Sequence, residues 1–133
     1  MSSQPTQVTP FAQTLGIDTI GSLDEGARTY VVEHTPSEKS ANFFRTVHGG
    51  LLQGILDDSA GMLIFLLHGV NSAITVSSQI RFLRATRLGQ PLRFIVRIDA
   101  EDEKKVRVTG EVRGATCQIA EYSSEWIRRA RRG

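Results

Sequence analysis

The stretch that most limits what this chain can fold into runs from Gly49 to Leu67. Leu51, Leu52, Ile55, Leu56, Ala60, Leu63, Leu66 and Leu67 make one broad helical face there, and few polar positions interrupt the remainder. A helix apolar on most sides must be buried, so the rest of the chain has to wrap around it. A narrower seam runs along the same helix. Gly50, Gly54, Asp57 and Gly61 recur at spacings of four, three and four, and at about 100° per residue they share a stripe. Each glycine costs a helix about 1 kcal/mol relative to alanine. Such a stripe implies close packing against it, by a second backbone or by a ligand. Asp58 is rotated by about 100° and misses the seam.

The loop feeding this helix is Asn42-Phe43-Phe44-Arg45-Thr46-Val47-His48-Gly49-Gly50. The first backbone N–H groups of a helix have no internal partner and carry partial positive charge. Glycine there lets a substrate oxygen approach them closely, which is the physics of an oxyanion hole. A carboxylate, Asp57, follows two turns further in.

The flanking segments read mostly as strands. Thr9 caps a short helix from Pro10 to Leu15, which Gly16 ends. Ile17 to Leu23 is a weak strand, Asp24-Glu25-Gly26 a turn, and Ala27 to Thr35 an alternating strand. Pro36 to Ser40 is a loop. After the helix, Ser72 to Thr86 reads as strand, with Ile74, Val76, Ile80 and Phe82 on one face and Thr75, Ser77, Gln79 and Arg81 on the other. Leu92, Phe94, Val96 and Ile98 alternate with Arg93, Ile95, Arg97 and Asp99. A charged hairpin tip, Ala100 to Lys105, leads to a return strand through Val106, Val108, Gly110 and Val112. The last strand is Thr116 to Ile127, with Ala120, Tyr122, Ser124 and Trp126 on one side. Five or six antiparallel strands and one long helix give an α+β fold, a curled sheet wrapped around a central helix.

The chain has 133 residues and a formal net charge of +2, which suits one domain with a real core. Residues 1–8 read as a disordered tail, and residues 9–133 as the domain, ending in a short basic tail, Arg128-Arg129-Ala130-Arg131-Arg132. No nucleic-acid motif accompanies those arginines, so no nucleic-acid partner is expected. The lone Cys117 allows no internal disulfide and fits a cytoplasmic location. No Cys/His spacing suggests a metal, and no cofactor is expected. The start lacks the pattern of a signal peptide. The longest apolar run, Met62 to Leu67, is too short to cross a bilayer, so no membrane partner is expected.

From about Phe11 to Trp126 the layout resembles the hotdog fold, and more specifically the PaaI-type acyl-CoA thioesterases, relatives of the 4-hydroxybenzoyl-CoA thioesterases. The most specific part is Asn42, then His48-Gly49-Gly50, then Asp57, at the family's spacing. Phe82-Leu83-Arg84-Ala85-Thr86-Arg87-Leu88-Gly89 is similar to the family's strand-to-turn segment, with Ala85 where proline is common. The resemblance implies hydrolysis of an acyl-CoA thioester. Gly49 would donate its N–H to the carbonyl, Asn42 would bind that oxygen or place water, and His48 would orient the loop. Asp57 would be general base or nucleophile, and Thr75 would position the water. Gly50, Ser77, Lys104 and Lys105 are the expected substrate contacts, with Ser77 on the same strand face as Thr75. The family's site is composite across a twofold axis, which implies a homodimer, paired into a tetramer. Alternatives are an acyl-CoA-binding module without turnover, and a hotdog enzyme acting on acyl-carrier-protein thioesters. The acyl group is open.

Overall fold

The computed structural model describes residues 7–129 apart from Asn71. The expected basic tail beyond Arg129 and most of the N-terminal tail lie outside the described residues. In chain order the elements are α1 (Pro10–Thr14), β1 (Ser22–Asp24), β2 (Thr29–His34), a short 3₁₀ turn (Glu38–Ser40), α2 (Gly49–His68), β3 (Ala73–Phe82), β4 (Leu92–Glu101), β5 (Lys105–Arg113) and β6 (Gln118–Arg128). The six strands form one antiparallel sheet in the order β1-β2-β4-β5-β6-β3. This is the hotdog architecture: the sheet curls around α2.

The alternation along the strands explains the wrap. Tyr30 and Val32 of β2, Phe94, Val96 and Ile98 of β4, Val106, Val108 and Val112 of β5, and Ala120, Tyr122 and Trp126 of β6 are all buried. From α2, Leu52, Ile55, Leu56, Ala60, Leu63 and Ile64 fill the space between. By length and composition alone α2 could cross a bilayer, but half of it is buried within the domain.

Three departures from the sequence reading have local causes. The first strand is only Ser22–Asp24, not Ile17 to Leu23. The Gly21 N–H donates to the Tyr30 hydroxyl at 2.7 Å rather than to a ladder carbonyl, and Ile17 is a core residue instead. The turn at Pro36–Ser40 contains a 3₁₀ helix capped by Ser37. Most consequentially, β3 carries a bulge: Thr75 pairs with Trp126 while Ser77 pairs with the next residue, Glu125. The extra residue shifts the two-residue period. Thr75, Ser78, Ile80 and Phe82 therefore share the side of Trp126, Ser124, Tyr122 and Ala120, whereas Ile74 and Ser77 turn to the outer face. Ile74 and Val76 are about half exposed, at 46% and 51%.

The core depends on shape as well as on apolarity. Leu63 is fully buried at 0% exposure, and truncating such a leucine leaves a cavity that costs about 2–5 kcal/mol. Leu63→Ala is expected to lower unfolding stability by that amount, read from the midpoint and slope of a urea transition; a loss under about 1 kcal/mol would contradict this packing.

Candidate active site

The loop before α2 is built by Asn42. Its Oδ1 accepts the backbone N–H of Phe44 at 2.9 Å and of Thr46 at 3.1 Å, and its amide donates to Thr46 Oγ1 at 2.9 Å. An isolated bridge pairs Ala41 with Val47. Arg45 takes up the left-handed backbone, φ +62°, a conformation unfavourable for a residue with a Cβ and tolerated where surrounding bonds enforce it. Phe43 and Phe44 project into solvent from the tip.

His48 is the N-cap of α2, and its Nδ1 accepts the Gly50 N–H at 2.8 Å. The Gly50 amide is therefore engaged in the cap. Gly49 is the first helical residue, so its own N–H has no intrahelical partner. The Phe82 ring lies 2.8 Å from the point a Cβ on Gly49 would occupy, so glycine is needed unless the ring moves.

Two turns on, Asp57 accepts a hydrogen bond from the Tyr122 hydroxyl at 2.5 Å. Burial first, and then the bond to Asp57, hold the Tyr122 phenol well above the ordinary tyrosine range, while Ser124 beside it pulls the other way. Trp126 Nε1 donates to Ser124 Oγ at 2.9 Å. Asp57 lines a cleft of about 410 Å³ together with Val8, Thr9, Asp58, Met62, Phe65 and Trp126. A larger groove, about 640 Å³, runs along β3 and β6 past Ser78, Arg81 and Ser123. It lacks the pairing of a helix carboxylate with an apolar lining, so the Asp57 cleft is the better site for chemistry on an apolar substrate.

The seam glycines are met by side chains of the same chain. A Cβ on Gly54 would stand 3.1 Å from Leu15 and 3.4 Å from Phe11, and one on Gly61 would stand 3.2 Å from Trp126. The close packing inferred from the sequence is real, but α1 and an aromatic ring supply it here rather than a second backbone. Asp58 has a partner that the sequence did not reveal. The Thr9 hydroxyl donates to Asp58 Oδ1 at 2.6 Å while accepting the Ala12 N–H at 3.0 Å, so one side chain caps α1 and fastens it to α2.

The remaining expected residues are scattered. Thr75 is on the helix-facing side of β3, but Ser77 is on the opposite face, because of the bulge; there it lines an outer groove with Gln79, Arg107 and Glu125. Lys104 and Lys105 form the β4–β5 turn, where both backbone N–H groups donate to Asp102 Oδ1, and these bonds hold the Asp102 carboxyl below the usual range. Lys105 lines a shallow cavity that shares no residue with the Asp57 cleft. His68, at the far end of α2, pairs with Glu101 at 2.9 Å. Among the described residues no group of three or more His, Cys, Asp or Glu is placed to hold a metal ion. Tyr122 was legible only as an inward residue of the last strand; two polar side chains, Tyr122 and Ser124, on a buried face were the available signal.

A model of the thioesterase superfamily matches residues 44–120. The chain belongs to that superfamily. Its PaaI-type hotdog character is matched in solved structures. A phenylacetic acid degradation-related protein from Ralstonia eutropha JMP134 is 26% identical, with 90% of each chain covered and a TM-score of 0.80. The PaaI protein of the E. coli phenylacetic acid degradation operon is 22% identical, covering 89% of this chain and 87% of its own, at a TM-score of 0.77. Protein smu.793 of Streptococcus mutans UA159, solved bound to acetyl-CoA, is 20% identical, covering 84% of this chain and 88% of its own, at a TM-score of 0.73. No curated protein matches the chain by sequence.

In this thioesterase-superfamily chain, burial raises the Asp58 carboxyl above its ordinary value of 3.8, and the Thr9 bond only partly opposes it. The folded state then holds that proton more tightly than the unfolded chain does. The resulting stability is present below the ordinary value and is lost as pH rises through the raised one. Asp58→Asn is accordingly expected to melt above wild type at pH 7, with the advantage closing as the pH falls toward 4. A constant difference across that range in thermal melts would contradict the assignment.

Proposed function

We propose that this protein is an acyl-CoA thioesterase that releases a free carboxylic acid and CoA, with Asp57 as its working carboxylate. The observation that carries the reading is Asp57 itself. It is a half-buried acid in the middle of an apolar helix, held by one donor, at a cleft lined by Val8, Met62, Phe65 and Trp126. That lining suits an apolar acyl group beside a base. The acetyl-CoA-bound S. mutans relative supports a CoA thioester as substrate.

As general base, Asp57 takes a proton from water while the water oxygen bonds to the thioester carbon. The carbonyl electron pair becomes an oxyanion, and a helix N-terminal N–H such as that of Gly49 stabilises it; such a donor is worth about 10²–10³ in rate. Collapse breaks the C–S bond, and the CoA thiolate leaves with the pair and takes the proton from Asp57. As nucleophile, an Asp57 oxygen bonds to the carbon directly, CoA thiolate departs, and water hydrolyses the mixed anhydride. Asn42 has little spare capacity beyond one amide N–H, which suits it to join Gly49 at the oxyanion.

A helix rises about 1.5 Å per residue, so Gly49 and Asp57 of one chain stand about 12 Å apart along α2. One thioester cannot bridge that gap. The reading therefore includes a homodimer as the minimal unit, with Asp57 of one subunit facing the Gly49 end of the other. The supporting surface is β3, a ten-residue strand at the sheet edge with Ile74 and Val76 exposed; an open edge of this kind is a template for pairing with another strand. The Ile74–Ile127 pair exposed on the outer face gives two dimers a further surface on which to form a tetramer.

Two measurements test these claims. Across a panel of aryl and aliphatic acyl-CoAs, thiol release by Asp57→Asn is expected to fall at least 10²-fold with the fold intact, and by Asp58→Asn much less. No turnover of any acyl-CoA by the wild type, despite binding, would favour a sensing module instead. Separately, Val76→Asp is expected to convert the dimer to a folded monomer in sedimentation and to abolish turnover; an active monomer would overturn the composite site.

A further inference from the structure

The inward face of β6 carries Tyr122, Ser124 and Trp126 at every second position, and all three are buried, at 4%, 2% and 8% exposure. The three are not independent. Trp126 fixes Ser124 through its indole N–H, Ser124 flanks the Tyr122 oxygen, and the Tyr122 proton goes to Asp57. We infer that Tyr122 is a positioning residue that clamps one oxygen of Asp57 against β6 so that the other faces the cleft. This inference rests on Asp57 being the working carboxylate.

Geometry favours positioning over a direct catalytic role. Trp126, at the far end of the chain of contacts, forms part of the cleft wall, whereas Tyr122 does not line the cleft. Its single proton is already committed to Asp57 at 2.5 Å, so it is not available to substrate. A free aspartate on a helix can adopt several rotamers, and a displacement of about 1 Å at a reacting group costs about 10²-fold in rate. The clamp removes that freedom. It also provides the hydrogen bond that a half-buried carboxylate in apolar surroundings requires. Neither the helix-facing residues of β3 (Thr75, Ser78, Ile80 and Phe82) nor those of α1 (Pro10–Thr14) bring a competing charge; the other carboxylate of the cleft, Asp58, is occupied by Thr9.

Tyr122→Phe keeps the ring, which packs against Gly110, and removes only the hydroxyl. With the acyl-CoA that the wild type turns over fastest, kcat is expected to fall about 10- to 100-fold while KM stays within about twofold. Ser124→Ala leaves the phenol in place but loosens it, and is expected to lower kcat several-fold with the same constancy of KM. Thermal melts run alongside confirm that each variant is folded; if Tyr122→Phe does not fold, Ser124→Ala carries the test. Wild-type kcat in a folded Tyr122→Phe, or a rise in KM at unchanged kcat, overturns the clamp. Asp57→Asn separates the two claims: if it is inactive while Tyr122→Phe is fully active, only the clamp fails; if it is fully active, the Asp57 reading fails as well.

Discussion

The hydrogen bond between the Tyr122 hydroxyl and Asp57 joins the two halves of this fold. Everything apolar about α2 drives it into the sheet, and a carboxylate on the same helix resists that burial. An ionised or neutral acid in such surroundings needs a partner, since leaving a buried polar group unmet costs about 1–3 kcal/mol. The sheet provides one from β6. No buried side-chain N or O among the described residues lacks a partner, so the domain encloses its helix without leaving a polar group stranded.

Much of this was readable from the residues. The apolar helix, its boundaries near Gly49 and His68, the short α1 with Thr9 as its cap, and the inward sets of β2, β4, β5 and β6 all follow from period and capping chemistry. Two kinds of information were not local enough to read. The bulge at Val76 came from how β3 meets β6, and no residue type at that point demanded it; hence Thr75 and Ser77 were assigned to one face and lie on two. The partners of Asp57 and Asp58 come from positions 65 and 49 residues away. Periodicity shows which residues of each element turn inward but not which element brings the hydroxyl.

The glycine seam illustrates the same limit from another side. Its spacing predicted close approach, and close approach is what Gly54 and Gly61 permit. What comes close is set by the docking of α1 and by the Trp126 ring. The cost of those glycines in helix propensity is therefore offset within the protomer. The gap of about 12 Å between Gly49 and Asp57 is the feature that the protomer alone leaves unresolved, and it is the reason the proposed chemistry calls on two copies.

The irregularity in β3 also changes what the sheet presents at its edge. Ile74 pairs with Ile127 on the outer face, and Val76, at the bulge, is half exposed beside it on the end strand of the sheet. An apolar margin of this kind is a ready template for any strand that meets it, a hazard that sheet edges otherwise blunt with charge or proline.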